Sequence, residues 1–182
     1  KLKMVKQNST YNNKIGLPPG SLIYVGKENK QKVTVSELTY SADHCEENIL
    51  EKPSNCVSWN TPDAVSLVSV FGVHDIAIVE DAGAFFSLDS MILEDVVNTQ
   101  SRSKMEEFDD FMFLRMKTLS VDINSNEISS EHISLLLGKN GLISFQESDI
   151  NILESLKDRI RKGKGLIRKR NSDYLFYRIV DT

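Results

Sequence analysis

The chain has little of what staples, breaks or anchors a fold. Two cysteines in 182 residues, Cys45 and Cys56, cannot build a disulfide framework, and they fit a reducing compartment. No long apolar run is present. The most apolar stretch, residues 64–73 (AVSLVSVFGV), is about half the length needed to cross a bilayer and carries two serines. The first ten residues (KLKMVKQNST) have charge but no apolar centre, so no secretory leader is visible there. Charge of one sign is lacking too. Lys and Arg total 22 against 26 Asp and Glu, a net charge of −4, which excludes a basic nucleic-acid-binding domain. A disordered acidic tail is excluded by the 40% hydrophobic content. Internal repeats and low-complexity segments are absent.

Motifs of catalysis are missing as well. There is no HExxH, no GxSxG, no Walker loop and no glycine-rich dinucleotide turn. None of His44, His74 and His132 has a metal-ligand spacing, and His132 falls in a strand pattern, where it reads as a structural histidine. His44 and Cys45 with Cys56 lack the CxxC pairing of zinc sites. Gly163-Lys164-Gly165 lacks the strand-before, helix-after setting of a phosphate loop and reads as a helix C-terminus. No nucleophile–base pair can be named, so the chain reads as a non-enzyme.

What is present is one domain's worth of mixed secondary structure. A chain of this length buries roughly 68–70% of its unfolded surface and can form a core unaided. Residues 1–14 are polar and expected to be flexible, with a domain over 15–182. Strands are predicted at 21–25 and 32–39, around a polar turn. Residues 41–62 mix short helical patches with loops. A buried strand follows at 64–70, then helices at 74–86 and 89–97. Strands at 111–121, 128–137 and 142–146 come next, the last two joined at Lys139-Asn140-Gly141, a hairpin signal. Amphipathic helices at 149–162 and 172–181 close the chain. This order is not a βαβ alternation and predicts an α+β domain with a mixed sheet and helices packed on it.

Charge is segregated along the sequence. Residues 157–170 (KDRIRKGKGLIRKR) hold eight basic residues, Lys157, Arg159, Arg161, Lys162, Lys164, Arg168, Lys169 and Arg170, and one acid, for a net +7. That run is either a solvated face or an electrostatic patch for phosphate, lipid head groups or an acidic partner. Residues 79–110 hold nine acids against Arg102 and Lys104, for a net −7. They form either a solvated face or a surface for a hard cation such as Mg2+ or Ca2+. Within them Glu94 and Asp95 are adjacent. Neighbours on a helix point about 100° apart, so the pair cannot clamp one ion by itself. Mg2+ keeps several waters and needs only one or two carboxylates, which suits a ligand set shared across a subunit boundary.

Several stretches, in order, resemble one family. They are Gly16-Leu17-Pro18-Pro19-Gly20, Gly72-Val73-His74, the segment 91–98 (MILEDVVN) with Lys104-Met105-Glu106, the patterns at 131–137 and 142–147, and 165–175 (GLIRKRNSDYL) followed by Asp181. Together they resemble the amino-terminal cytoplasmic domain of the CorA family of magnesium and divalent-cation transporters, over nearly the whole chain. Family members usually carry Trp in the strand before Gly72; here the only Trp is Trp59. The loop after Asn98 also lacks the usual His and Arg-Pro.

The resemblance implies a three-layer α/β/α domain ending where a long stalk helix begins, with the transmembrane part absent from this chain. It implies a homopentamer at the cytoplasmic face of the cell membrane that mediates Mg2+ transport, with Co2+ or Ni2+ as further cargo, and a Zn2+-transporting relative as the nearest variant. It also implies regulatory Mg2+ held between neighbouring subunits by positions matching Glu94, Asp95 and Asp181 and by the backbone carbonyl of Leu17. A soluble phosphate- or nucleic-acid-binding module using residues 157–170 stands as the alternative.

Overall fold

The computed structural model describes residues 18, 20–26, 28–59, 61–121, 128–147 and 151–181. The segment 1–14, Leu17 and the first two residues of the helix expected at 149–162 lie outside the described residues.

Among the described residues seven strands form one sheet: β1 (Thr34–Tyr40), β2 (Cys45–Leu50), β3 (Val65–Phe71), β4 (Lys104–Glu107), β5 (Met112–Val121), β6 (Ile128–Leu137) and β7 (Gly141–Gln146). Their order across the sheet is β2-β1-β3-β7-β6-β5-β4. Only β3 and β7 pair in parallel; every other neighbour pair is antiparallel. The two parallel strands lie at the middle, and apart from Phe71 at the end of β3 their residues are buried throughout, as strands covered on both faces must be. The edges are short and charged: β2 reads CEENIL and β4 reads KMEE. This protects the open ladder from pairing with other chains.

Among the described residues four α-helices cover the sheet: α1 (Ile76–Phe86), α2 (Ser90–Val97), α3 (Asn151–Arg161) and α4 (Ser172–Val180). Strand alternation assigns them to faces. Val35, Val68, Val70, Phe113, Leu136, Ile143 and Phe145 share a core with Val79 and Ala82 of α1 and Ile92, Leu93, Val96 and Val97 of α2. On the other face Leu38, Leu67, Ile133, Leu135 and Leu142 pack with Leu153, Leu156 and Ile160 of α3 and Leu175 and Ile179 of α4. The result is the three-layer α/β/α arrangement with a mixed sheet.

Local chemistry sets the helix ends. Asp75 caps α1 by accepting from the N–H groups of Ala77 and Ile78, and Asp89 caps α2 through Met91 N–H at 2.7 Å. Ser87 ends α1 in the left-handed region, φ 56°. Gly83 lets the two helices close: a Cβ there would collide with the Leu93 side chain.

Three segments differ from the sequence reading. Residues 21–25 form no strand; they lie along the end of α2, with a single bridge from Val25 to Asn98. Strand β2 arises within a stretch read as loop and helical patches, and β4 within the acidic segment. Both are edge strands whose polar sequence hides the period, because only one neighbour and one face constrain them. Trp59 packs against Gly138 and Gly141 of the β6–β7 hairpin and edge-on to Phe86 at 4.6 Å. The indole therefore fills the sheet end from the side instead of from β3.

Candidate cation-binding surface on helix α2

Helix α2 buries Ile92, Leu93, Val96 and Val97, a spacing that turns Glu94 and Asp95 partly outward. The two carboxylates point to different neighbours, as their offset requires. Glu94 accepts from the backbone N–H of Gly20 at 2.6 Å. That approach depends on Gly20 itself, which sits at φ +82°; a Cβ there would meet Ser90 Oγ at 2.6 Å. The glycine thus fastens the segment entering residues 20–26 to the middle of α2.

Asp95 meets two cations of its own chain. Its Oδ1 lies 2.5 Å from Arg115 Nη1, and its Oδ2 lies 3.2 Å from Lys104 Nζ. The Arg115 side chain is only 6% exposed. It also donates from Nε to the carbonyl of Arg102 at 3.0 Å. Lys104 is more open and shares its charge with Glu106 at 2.7 Å. The hydrogen bond to Glu106, helped by Asp95, holds the Lys104 ammonium above its ordinary pKa. The sequence reading missed both cations. The available signal was Arg115 itself: it shares the inward phase of β5 with Phe113, and a buried guanidinium requires a carboxylate partner.

The C-terminal end of α2 is tied to the 20–26 segment. Val25 N–H donates to the Val97 carbonyl at 2.9 Å, and Thr99 N–H donates to the Val25 carbonyl at 3.0 Å. Glu147, just after β7, accepts from Thr99 Oγ1 at 2.7 Å and from the Tyr24 hydroxyl at 3.1 Å. Burial, reinforced by the Glu147 charge, pushes the Tyr24 phenol above its usual value, so it remains a donor. His132, on the same face of β6, is 3% exposed. Burial, with Arg115 and Lys117 nearby, pushes its imidazole down to about 4.

Asp181 is elsewhere. It caps the C-terminus of α4 and lies 3.3 Å from Arg178. Because α2 and α4 cover opposite faces, the sheet separates Asp181 from the Glu94–Asp95 pair within one chain. Among the described residues no group of three or more His, Cys, Asp or Glu side chains is placed to hold a metal. Leu17 is outside the described residues; Gly20, three positions later in the sequence, reaches Glu94. The oxygen-only donors suit Mg2+ chemically. Of the two cations on Asp95, the exposed Lys104 is the one an incoming ion can displace.

The basic run is largely engaged with its own chain. Lys157 is buried and reaches Ser36 Oγ at 2.9 Å and Glu47 at 3.2 Å. Arg161 contacts Glu47, Glu154 and Asp158, and Lys162 contacts Asp158. Arg168 donates to the Ile160 and Arg161 carbonyls and so caps α3. Arg159, Lys164, Lys169 and Arg170 are exposed.

Residues 80–182 match the family described as CorA-like Mg2+ transporter protein. The chain belongs to the CorA family. It is 32% identical over 168 residues to the cobalt/magnesium transport protein CorA of Thermotoga maritima, a match covering 92% of this chain and 48% of that protein. This CorA-family fold also resembles the full-length CmaX protein, with a TM-score of 0.65, 7% identity, and 84% of this chain matched to 46% of that one. The soluble domain of CorA from Methanocaldococcus jannaschii matches with a TM-score of 0.58 at 13% identity, over 80% of this chain and 54% of that one. The chain spans about half the length of the curated relative it matches. No helix among its described residues is long and apolar enough to cross a membrane.

Proposed function

We propose that this chain is the cation-sensing regulatory domain of a CorA-like divalent-cation transporter. It acts at the cytoplasmic face of the membrane as one subunit of a homopentamer, and the regulatory ion is Mg2+. The reading rests on family membership and on one geometric observation, the Glu94–Gly20 contact. That contact brings Gly20, three positions after Leu17 in the sequence, to the acidic pair. Asp181 lies on the far face of the sheet, an arrangement that favours a ligand set completed between subunits. The mechanism is linkage. A bound cation neutralises carboxylates gathered at a boundary and so favours the assembled ring, and loss of the cation restores their repulsion.

The test is thermal unfolding with and without Mg2+, beside analytical ultracentrifugation. A site of roughly millimolar affinity gains about 1.4 kcal/mol at about 10 mM Mg2+, or roughly 3–6 °C in Tm for a domain of this size. Asp181→Asn is the clean variant, since its ion pair with Arg178 is exposed and contributes little to basal stability. The reading expects Asp181→Asn to shrink the Mg2+ response and Mg2+ to promote association. An unchanged Tm and mass in wild type would sink it for this chain. Parallel runs with Co2+ and Zn2+ rank the ions.

A further inference from the structure

The face of the molecule opposite α2 carries a second chemistry. A cleft of about 400 Å³ is lined by Tyr40 from the end of β1, Asp63 before β3, Lys139 and Asn140 of the β6–β7 hairpin, and residues 168–171. An adjoining cleft of about 420 Å³ shares Lys169, Arg170 and Asn171. Four basic side chains therefore converge on the first cleft against the single acid Asp63. They come from segments about thirty residues apart, and a specific contact holds those segments together. Ser172 Oγ donates to the carbonyls of Gly138 and Lys139, at 2.9 and 3.0 Å. Arg168 is spent on capping α3, but Lys139, Lys169 and Arg170 form no ion pair among the described residues.

Two further features face the same place. Asn171, the residue before the nine-residue helix α4, makes no side-chain capping bond, and Ser172 has turned its hydroxyl to the hairpin. The positive end of the α4 dipole thus lies beside the cleft, although Tyr174 N–H is already taken by Asp173 and the Asn171 carbonyl. Tyr40 is 1% exposed, yet its hydroxyl finds no hydrogen-bond partner among the described residues. A buried phenol left unpaired at the wall of a cationic cleft is a donor awaiting an acceptor. The nearby Asp173 does not fill that role, since its carboxylate bends back to Tyr174 N–H at 2.8 Å.

We infer that this cleft binds a phosphate-type anion, held by Lys139, Lys169 and Arg170, the N-terminus of α4 and the Tyr40 hydroxyl. Helix N-termini and basic side chains together are the usual way a protein holds such groups. A soluble ester and a lipid head group both present such a phosphate, and the chemistry of recognition is shared.

The experiment is an amide NMR titration of the 182-residue chain with inorganic phosphate at fixed pH and ionic strength. Flotation with phosphatidylcholine vesicles, with and without phosphatidylinositol phosphate, accompanies it. Saturable shifts confined to the amides of residues 139–140 and 170–174 are expected. The double variant Lys169→Gln/Arg170→Gln alters exposed side chains only and should weaken binding about tenfold or more, as loss of charge-assisted hydrogen bonds does. Tyr40→Phe should also weaken binding while leaving Tm at or above the wild-type value. Lys162→Gln, in the same basic run but engaged with Asp158, should change nothing. Flotation only with the phosphoinositide vesicles, competed by inorganic phosphate, assigns the phosphate to lipid. Phosphate binding without flotation assigns it to a soluble ester. Shifts that never saturate, or an affinity unchanged in the double variant, would overturn the inference.

Discussion

Asp95 is the counter-ion of a buried guanidinium: its carboxylate lies 2.5 Å from Arg115 Nη1, and the arginine side chain is 6% exposed. The residue placed at the centre of the cation-sensing reading therefore also has a structural duty. Removing one partner of a buried pair leaves the other charge uncompensated, which costs more than the pair contributes.

Asp95→Asn should thus destabilise the domain by roughly 2–4 kcal/mol, toward the lower part of the range for broken buried pairs because Asp95 is itself partly open. The cost appears in urea unfolding with no divalent cation present. The double variant Asp95→Asn/Arg115→Met should recover most of it. A single variant as stable as wild type would show that Arg115 is neutralised by another group. Any Mg2+ response of Asp95→Asn must accordingly be read against its own lowered baseline.

Lys104 separates the structural duty from the binding one. It sits on the outer oxygen of Asp95 and on Glu106, and it is 40% exposed. Such surface pairs contribute only about 0–1 kcal/mol, so Lys104→Met should leave Tm nearly unchanged without Mg2+. If the ion binds at Asp95, deleting its competitor should enlarge the Mg2+-induced rise in Tm. An equal or smaller rise would place the ion elsewhere.

Much of this was legible in the sequence, and what was not has a physical cause. The central strands declare themselves because residues such as Leu67, Val68 and Phe145 must be apolar on both faces. The four helices declare themselves through an apolar stripe. Strands β2 and β4 do not, since an edge strand takes its conformation from one neighbour and carries side chains chosen for solvent. The acidic pair was visible as charge, but its partners were not. Arg115 lies twenty residues from Asp95 in sequence and meets it only because β5 runs under α2. The basic run was visible too, yet Lys157 and Arg161 are absorbed by Glu47, which the strand register alone brings within reach.

Gly83 gives a test of how closely α1 and α2 pack. Alanine is favoured over glycine in a helix by about 1 kcal/mol. Here the new methyl would collide with the Leu93 side chain, and overpacking a tight contact costs roughly 1–3 kcal/mol. The collision should win, so Gly83→Ala lowers Tm. Adding Leu93→Val should restore part of the loss. A stabilised Gly83→Ala would mean that α2 moves aside freely, and with it the acidic pair.

His132 should make the domain acid-sensitive above the carboxylate range. Its ordinary pKa of 6.5 is pushed down to about 4, chiefly by burial, with Arg115 and Lys117 adding to the effect and Asp95 opposing it. Between those values the unfolded chain binds a proton that the folded chain refuses, so stability falls as pH is lowered. The loss begins as pH drops through 6.5 and is complete near 4. It amounts to on the order of 3 kcal/mol at most, from the 1.36 kcal/mol carried by each pH unit between the two values. His132→Asn removes the titration and should flatten this part of the stability profile, whatever its effect on stability at neutral pH. NMR of the folded wild type should show the His132 ring still neutral well below pH 6.5. A ring that protonates near 6.5 without unfolding would mean that β6 opens to water beside Arg115, and the buried pair with Asp95 would have to open with it.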